Sequence, residues 1–270
     1  MKKCLVFVLS VMMLALSAGA SFADTSMMDE AVKRGTLRVG MSTFVPWAMQ
    51  DKEGNLIGFE IDVATRFAED HGLKVEFVPT KWAGIIPALL NKQFDLIIGS
   101  MSAQPERSLK VNFSDPYDTM GMDLVASKKL AADFKTMEDF NKEGVIIAAR
   151  SGGTAKGSVE KHLPKATVKV FDEESQALQE VITGRAHAFA SSSPQPAFEA
   201  MRHPDTLFHP QIKPFTQEFV CMVLRKGDLD SLNVINAWIR KVEASGFLQE
   251  RRDYWFGSMD WADRVMPGQE

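Results

Sequence analysis

Cysteine is scarce in this sequence. Only Cys4 and Cys221 occur among the 270 residues. Cys4 falls inside an apolar N-terminal leader, so we expect the mature chain to hold one cysteine and no internal disulfide. Cys221 lies in the apolar stretch 219–224, where a small buried side chain is the usual state of a free cysteine. We therefore assign no chemistry to Cys221.

The patterns that hold metals or build hydrolytic sites are also missing. The five histidines show no His-x-x-x-His spacing and no cysteine companion: His71, His162, His187, His203 and His209. Serines 191–193 lack a nucleophile elbow. The glycine-rich turn at 150–157 lacks the P-loop spacing. We predict a protein with no metal, no other cofactor, no catalytic residue and no enzymatic activity.

Long apolar runs are absent after the first few residues. Two lysines precede a predominantly apolar run over 5–16, and small residues follow up to Ala23. This order is typical of a cleaved secretory signal, since twelve helical residues reach only about 18 Å, too short for a bilayer core. We expect a signal peptide over 1–23, cleaved after Ala23 or after Ala20, and a periplasmic mature protein.

Positive charge is not in excess. The sequence carries 31 Lys and Arg against 35 Asp and Glu, a net charge of -4. Cleavage of the leader removes two basic residues and no acidic one, so the mature chain is more acidic still. An acidic chain argues against a nucleic-acid partner, because phosphate contacts need clustered Lys and Arg.

What the sequence does contain is an alternation of short β-branched runs and helical patterns, which predicts sheets with crossover helices. A first series has strands and helices at 36–41, 60–71, 74–79, 83–91 and 94–99. A second series has strands at 144–149, 166–171 and 186–190, with one helix that begins after Gly153 and another at 173–182. Extended segments at 122–126 and 218–224 flank the second series, and a helix is predicted at 229–245.

The two extended segments indicate that the second series is inserted into the first. We predict an α/β protein with two lobes, in which 24–126 and 217–270 form lobe 1 and 127–216 form lobe 2. Ligands bind beyond the carboxyl ends of strands in such sheets and at domain interfaces. The four loops expected to meet in one cleft are those after Met41, Gly99, Ala149 and Ala190.

The loop after Gly99 offers two hydroxyls and a guanidinium, in Ser100, Ser102 and Arg107. Arginine grips a carboxylate through two parallel hydrogen bonds, so an anion site is a natural use of this loop. A strand-to-helix loop with a solvated arginine is the alternative. Spacing alone leaves both interpretations open.

The loop after Ala149 combines Arg150 with a glycine-rich turn at Gly153 and Thr154 that leads into a helix. Free amides at a helix start attract anions, which supports the same ligand from the opposite side of the cleft. An ordinary N-cap is the alternative for Thr154.

Three aromatic side chains fall near the predicted cleft: Phe44, Trp47 and Trp82. Aromatic rings can stack on a flat ligand or hold a cation over their faces, although core packing is the commoner fate. Trp82 is the strongest ligand-binding candidate of the three, because it follows Lys81 at the start of an element.

Motifs spread over nearly the whole mature chain carry a family resemblance. They fall at 37–40, 58–62, 82–90, 94–102, 105–107, 113–117, 184–185 and 254–257. As a set, they resemble the polar amino-acid family of periplasmic solute-binding proteins, the family 3 receptors of ABC importers. The resemblance implies a type II periplasmic binding protein fold, in which two β-sheet lobes flanked by helices are joined by two hinge strands.

The resemblance also implies how a ligand is held. Arg107 would grip its carboxylate, with help from Ser100, Ser102 and the helix start at Gly153 and Thr154.

On the same grounds, Phe44 and Trp82 would form an aromatic wall, and Arg150 would sense the rest of the ligand. We expect the open cleft to bind through the first lobe and to close when the second lobe adds its contacts, because a ligand shifts a conformational equilibrium only by its differential affinity.

One departure from the family pattern concerns Ser192, which stands where amino-acid receptors usually carry an Asp for the ligand ammonium. A buried ammonium that meets a hydroxyl instead loses its charge partner. The second lobe also gains a cation in Arg150. We therefore predict a carboxylate that lacks a free α-ammonium, or an acidic amino acid whose ammonium meets Asp118 or Glu60. The alternative is that Ser192 and Arg150 lie just outside the pocket.

The function implied by the resemblance is delivery of an amino acid or related small carboxylate to an inner-membrane ABC permease by a monomeric periplasmic receptor. Two other functions stay open. One is a periplasmic cyclohexadienyl dehydratase acting on prephenate or arogenate, and the other is a ligand trap for a sensor kinase. No acid in the four cleft loops stands out as a strongly desolvated proton donor, which favours the receptor, while Glu60, Glu106 and Asp118 stay open as donors for the enzyme.

Overall fold

The structure, a computed structural model, describes residues 25–266. The predicted signal peptide over 1–23 and its two alternative cleavage sites lie outside the described residues. Within the described part, the chain folds into two five-stranded sheets with their helices and a small two-stranded ribbon. The predicted α/β class is therefore confirmed.

The first sheet contains strands from both ends of the chain. They are β1 (Thr36–Met41), β4 (Lys74–Pro79), β5 (Leu96–Ile97), β6 (Val111–Met120) and β12 (Glu218–Arg225), in the order β4-β1-β5-β12-β6. Strand β1 is parallel to β4 and β5, whereas β12 is antiparallel to β5 and β6. The carboxyl ends of β1 and β5 therefore face the same edge, and the loops that follow them lie side by side.

The second sheet is built from the middle of the chain. Its strands are β7 (Met122–Ser127), β8 (Ile146–Arg150), β9 (Thr167–Phe171), β10 (Ala188–Ser192) and β11 (Leu207–Phe208), in the order β11-β7-β10-β8-β9. Strand β8 is parallel to β9 and β10, and β7 is antiparallel to β10 and β11. The ribbon pairs β2 (Met49–Gln50) with β3 (Leu56–Ile57).

Helices connect the strands of both sheets. The α-helices of the described residues are Met27–Arg34, Phe59–Asp70, Ile85–Leu90, Pro105–Ser108, Lys128–Ala131, Met137–Phe140, Ala155–His162, Glu174–Ile182, Gln195–Arg202, Leu229–Ala244 and Phe247–Gly257. Single 3-10 turns cover Trp82–Gly84 and Ala262–Arg264.

The helix Phe59–Asp70 begins where the sequence predicts a helix, and it buries the expected face. Val63 and Phe67 are fully buried against the first sheet. Its start requires a glycine, because Gly58 has a φ of 135° and a Cβ there would lie 2.3 Å from the carbonyl oxygen of Trp47. The turn thereby presses the loop after β1 against the start of this helix.

The chain passes from the first sheet to the second at Gly121, between β6 and β7, and returns between β11 and β12. The two passages touch, because the amide of Met122 donates to Oγ1 of Thr216 at 2.8 Å. The predicted limits of the inserted lobe, 127–216, stay a prediction. The pairing of β7 within the second sheet favours a passage at Gly121.

Each sheet carries its own apolar core. Cys221 lies in strand β12 with 2% of its surface exposed, and burial raises the pKa of its thiol to about 12. It is the buried side chain predicted from its apolar surroundings. Among residues 25–266, no helix is both long enough and apolar enough to cross a bilayer.

Candidate ligand-binding cleft

A pocket with about 390 Å³ of empty space, part of it open to solvent, lies between the two sheets. Nine of the ten predicted site residues line it: Phe44, Trp82, Ser100, Ser102, Arg107, Arg150, Gly153, Thr154 and Ser192. The four loops that the sequence singles out therefore do meet in one cleft. Ser192 and Arg150 lie inside it, not just outside.

The cavity has two walls. We call the side formed by Phe44, Trp82, Ser100, Ser102 and Arg107 the first wall. We call the side formed by Arg150, Gly153, Thr154, Glu174, Ser191 and Ser192 the second wall. The residues of the first wall come after the carboxyl ends of strands in the first sheet. The residues of the second wall lie at or just after the ends of β8, β9 and β10 in the second sheet.

Arg107 is the only cation of the first wall. Its Nη1 donates to the carbonyl oxygen and Oγ of Ser102 at 3.1 and 3.3 Å, and its Nη2 donates to the carbonyl oxygen of Gly152 at 3.1 Å. All three acceptors are neutral. Burial lowers the pKa of Arg107, with Glu218 acting against this change and Arg150 acting with it. Arginine nevertheless stays charged at any physiological pH, so the first wall presents a positive charge whose direct hydrogen-bond acceptors are all neutral, while the carboxylates of Glu218 and Glu106 act on it from farther away.

The loop beneath Arg107 is tied to β12 through its backbone. Ser102 pairs with Val220 in an isolated bridge, and the amide of Cys221 donates to the carbonyl oxygen of Met101 at 3.1 Å. Ser102 is consequently buried, and its hydroxyl and carbonyl hold the guanidinium of Arg107 from one side. This support fixes the direction in which the guanidinium can bind a ligand.

Ser100 is held from behind by a buried carboxyl group. Its Oγ donates to Oε1 of Glu60 at 2.6 Å, and the hydroxyl of Tyr117 donates to Oε2 at the same distance. Burial raises the pKa of Glu60 to about 7, although both hydrogen bonds favour the charged form. Ser100 adopts a φ of 57°, a strained conformation for a residue with a side chain. This carboxyl group supports the first wall from outside the cavity.

Of the three aromatic residues predicted near the cleft, two belong to the first wall and one lies behind it. Phe44 and Trp82 line the cavity, whereas Trp47 stacks on Phe44 with ring centroids 4.2 Å apart and is 1% exposed. Trp47 is the one predicted site residue that does not line the cavity. It packs against the side of Phe44 that faces the core, so its contribution to the site is support.

Arg150 brings a second cation into the cavity from the second sheet. Its guanidinium carbon lies 5.1 Å from the ring centroid of Phe44 and 4.8 Å from that of Trp82, within cation–π distance of both. Nε lies 3.1 Å from Oε1 of Glu174, and Nη1 reaches the carbonyl oxygen of Thr43 at 3.5 Å. The side chain of Arg150 is only 8% exposed.

Glu174 is the functional candidate that sequence reasoning missed. It lines the cavity in the first turn of the helix Glu174–Ile182, and its side chain is 16% exposed. Burial raises its pKa, while Arg150 and a hydrogen bond from Oγ of Ser191 at 3.3 Å oppose that change. The signal was available, because Glu174 comes three residues after the carboxyl end of β9. Ligands bind beyond the carboxyl ends of strands, and this holds for β9 as it does for the four strands whose loops the sequence singles out.

The second wall also contacts the first sheet across the cavity. Oγ1 of Thr154 donates to the carboxylate of Glu218 at 2.9 Å, so this hydroxyl does not cap the helix that follows it. The carbonyl oxygen of Gly152 accepts from Nε1 of Trp82 at 3.2 Å as well as from Arg107. These contacts close the two walls on each other.

Neither acid proposed from the sequence as an ammonium acceptor lines the cavity. Asp118 accepts from Nε of Arg252 at 2.9 Å at another part of the surface, and Glu60 is engaged behind Ser100. Glu174 is the carboxylate that faces the cavity. The residues of the described range form no cluster of histidine, cysteine or acidic side chains suited to a metal.

Two α/β units that meet at a polar pocket, with an arginine that donates only to neutral acceptors, have the architecture of a solute-binding protein. The chain belongs to the bacterial extracellular solute-binding proteins, family 3, whose family model matches residues 37–258. The fold predicted from the resemblance, a two-lobed type II periplasmic binding protein, is confirmed.

Three relatives illustrate the range of the family. The chain is 28% identical over 254 residues to the L-cystine-binding protein TcyJ of Escherichia coli strain K12, covering 93% of this chain and 94% of the other. It is 29% identical over 245 residues to the cyclohexadienyl dehydratase of Pseudomonas aeruginosa, covering 90% and 91%. Its structure is similar to that of the ancestral amino acid-binding protein AncCDT-1, a precursor of cyclohexadienyl dehydratase. That similarity has a TM-score of 0.77 and 39% identity, covering 86% of this chain and 99% of the other.

Proposed function

We propose that this protein is the monomeric periplasmic receptor of an ABC importer and that it binds an amino acid or a related small carboxylate. The observation that carries the proposal is the guanidinium of Arg107, which lines the pocket and donates its hydrogen bonds only to neutral acceptors. A carboxylate is the ligand group that such a guanidinium binds best, through paired charge-assisted hydrogen bonds. Family membership and the cystine-binding relative support the same class of ligand.

The charges of the cavity favour a ligand with net negative charge. Arg107 and Arg150 contribute two positive charges, and Glu174 contributes one negative charge when ionised. The preferred ligand is a carboxylate without a free α-ammonium, or an acidic amino acid. In the second case, the ligand ammonium would have to share Glu174 with Arg150, because Glu174, and not Asp118 or Glu60, is the acid that lines the cavity.

Contacts across the cavity support a closing mechanism. Trp82 and Arg107 in the first wall both donate to Gly152 on the other side, and Thr154 donates to Glu218. A ligand that binds both walls stabilises this closed form over an open one by its extra contacts. The permease would then recognise the closed receptor.

A thermal-shift screen tests the proposal. The panel contains amino acids, keto acids, dicarboxylates, aromatic acids and betaines, each with the compound in which an amide replaces the carboxylate as the matched control. We expect at least one carboxylate, and not its amide, to raise the melting temperature, since a ligand specific for the folded state stabilises it. Small-angle scattering should then show compaction on binding. Equal shifts with acids and amides, or none with any acid, would contradict the proposal.

The second candidate function is a cyclohexadienyl dehydratase. Glu174 favours it, because a partly desolvated acid with a raised pKa in a ligand cavity is a suitable proton donor. The dehydratase relative points the same way. Incubation with prephenate or arogenate distinguishes the two functions. An aromatic product formed by the wild type and not by Glu174→Gln would establish the enzyme, whereas binding without turnover would establish the receptor.

A further inference from the structure

The guanidinium of Arg150 lies among three groups that bind cations. It lies over the rings of Phe44 and Trp82, at 5.1 and 4.8 Å from their centroids, and pairs with Glu174 at 3.1 Å. Two aromatic faces and one carboxylate are the groups that bind a guanidinium or ammonium away from water. We call Phe44, Trp82 and Glu174 the cation site.

The cation site adjoins the place where a ligand carboxylate is held. The guanidinium carbon of Arg107 lies 5.8 Å from the ring centroid of Trp82, so both arginines contact the same indole. A ligand with a carboxylate at one end and a cation at the other would span Arg107 and the cation site. That position is already filled by the protein's own side chain.

We infer that Arg150 is a built-in occupant of the cation site and restricts the receptor to compact carboxylates without a cationic side chain. This inference rests on the proposed function, since it names the ligand class of the same cavity. It assigns the specificity to one residue of the second wall. The site itself retains the groups needed to bind a cation once Arg150 is removed.

The charges around Arg150 explain why a ligand cation cannot displace it easily. Displacement would break the ion pair with Glu174 and the contact with the carbonyl oxygen of Thr43, and it would place a second cation beside the first. The side chain is 8% exposed, so little room remains for it to move while the cleft is closed. Exclusion of an unwanted ligand by an occupied pocket and a like charge is a recognised route to specificity.

The test compares wild type with Arg150→Ala in titrations with L-arginine, L-lysine and the compact carboxylate from the screen. We expect L-arginine to bind Arg150→Ala at least about 10-fold more tightly than wild type, because the emptied site offers two rings and a free carboxylate. The gain should disappear in the double variant Arg150→Ala with Glu174→Gln, which keeps the cavity and removes the carboxylate.

Methylguanidinium tests the cation site without any carboxylate on the probe. At concentrations about tenfold above its dissociation constant it should raise the melting temperature of Arg150→Ala by about 2–4 °C and leave wild type unchanged. Arg185→Ala is the matched control, because Arg185 also pairs with a glutamate, Glu180, but is exposed and lies outside the cavity. Its response should equal that of wild type.

Two results would overturn the inference. The first is binding of L-arginine or L-lysine by wild type as tightly as by Arg150→Ala. The second is a folded Arg150→Ala protein, with a cooperative melting transition, that gains neither L-arginine nor methylguanidinium. If the proposed function is wrong, the result is different. No carboxylate then binds wild type, while methylguanidinium still raises the melting temperature of Arg150→Ala and not that of wild type.

Discussion

The two walls of the cleft hold their charges in opposite ways. In the first wall, Arg107 is surrounded by neutral oxygens and has a positive charge to offer to a ligand. In the second wall, Arg150 is already paired with Glu174 and packed on two aromatic rings. The difference indicates a division of labour. The first wall sets the class of ligand, a carboxylate, and the second wall decides which carboxylates fit.

The supports behind the two walls differ as well. Ser100 in the first wall rests on Glu60 and Tyr117, a buried network that no cavity atom needs to disturb when a ligand binds. In the second wall, the hydroxyl of Ser191 lies between Glu174 and Gln195 and faces the cavity itself. Substitutions in the first wall should therefore abolish binding, and substitutions in the second wall should redirect it.

The largest effect is expected from the first wall. We predict that Arg107→Ala weakens binding of the screened carboxylate by at least about 100-fold, because loss of one partner of a desolvated charge pair costs about 2–5 kcal/mol. Arg107→Lys keeps the charge without the forked geometry, so its affinity for the carboxylate should fall between those of wild type and Arg107→Ala. Isothermal titration measures all three proteins. If Arg150→Ala lost more affinity for the carboxylate than Arg107→Ala did, the roles assigned to the two walls would be reversed.

The support of the first wall should titrate near neutral pH. Burial raises the pKa of Glu60 from 4.5 to about 7, so the stability gained from the neutral carboxyl is complete below pH 4.5 and is lost as the pH rises through 7. Relative to wild type, Glu60→Gln should gain about 3 kcal/mol in the free energy of unfolding between pH 4.5 and pH 8.

Urea unfolding at pH 4.5, 6 and 8 measures this difference. Glu160→Gln is the control, since it makes the same change of charge at an exposed carboxylate that pairs with Lys156 on a helix surface. If the stability difference between Glu60→Gln and wild type stays constant across this range, the buried carboxyl does not titrate as described.

A smaller effect is expected from restoring the family's usual acid in the second wall. Ser192→Asp should bind zwitterionic amino acids about 10-fold more tightly than wild type, because the ligand ammonium regains a charged acceptor. Ser192→Asn provides a neutral side chain of similar shape as the control. Equal affinities of the Asp and Asn variants would show that the missing acceptor does not limit binding.

The smallest effect is expected at the contact between the walls. Thr154→Val removes the hydroxyl that donates to Glu218 and should weaken ligand binding about 3-fold, since this hydrogen bond joins the second wall to the first sheet in this closed form. Thr154→Ser keeps the hydroxyl and should bind as wild type does. Titration gives the affinities, and scattering of the unliganded proteins gives the degree of closure. A loss of the same size in both variants would point to the methyl group instead.

Much of this arrangement follows from local sequence patterns. The helix predicted at 229–245 is found as Leu229–Ala244, and nine of ten proposed site residues line one cavity. Both results rest on short stretches of sequence. The spacing of apolar residues predicts the helices, and the position of a loop after the carboxyl end of a strand predicts that it borders the cleft.

What sequence did not predict depends on contacts between distant parts of the chain. Glu174 lies inside a helix pattern, where its place three residues after the end of β9 was the one available signal, and the sheet order confirms that this helix start reaches the pocket. The stacking of Trp47 behind Phe44 is equally invisible in sequence, because two neighbouring aromatic residues give no sign of which one faces the core. The helices Gln195–Arg202 and Phe247–Gly257 were not predicted either.

The central claim is that Arg107 binds the carboxylate of the ligand, and a thermodynamic cycle tests it most directly. The screened carboxylate and its amide are each titrated against wild type and against Arg107→Ala. We predict that the amide binds wild type at least about 100-fold more weakly than the acid and that Arg107→Ala barely distinguishes the two. An equal preference for the acid in both proteins would place the carboxylate elsewhere and contradict the account.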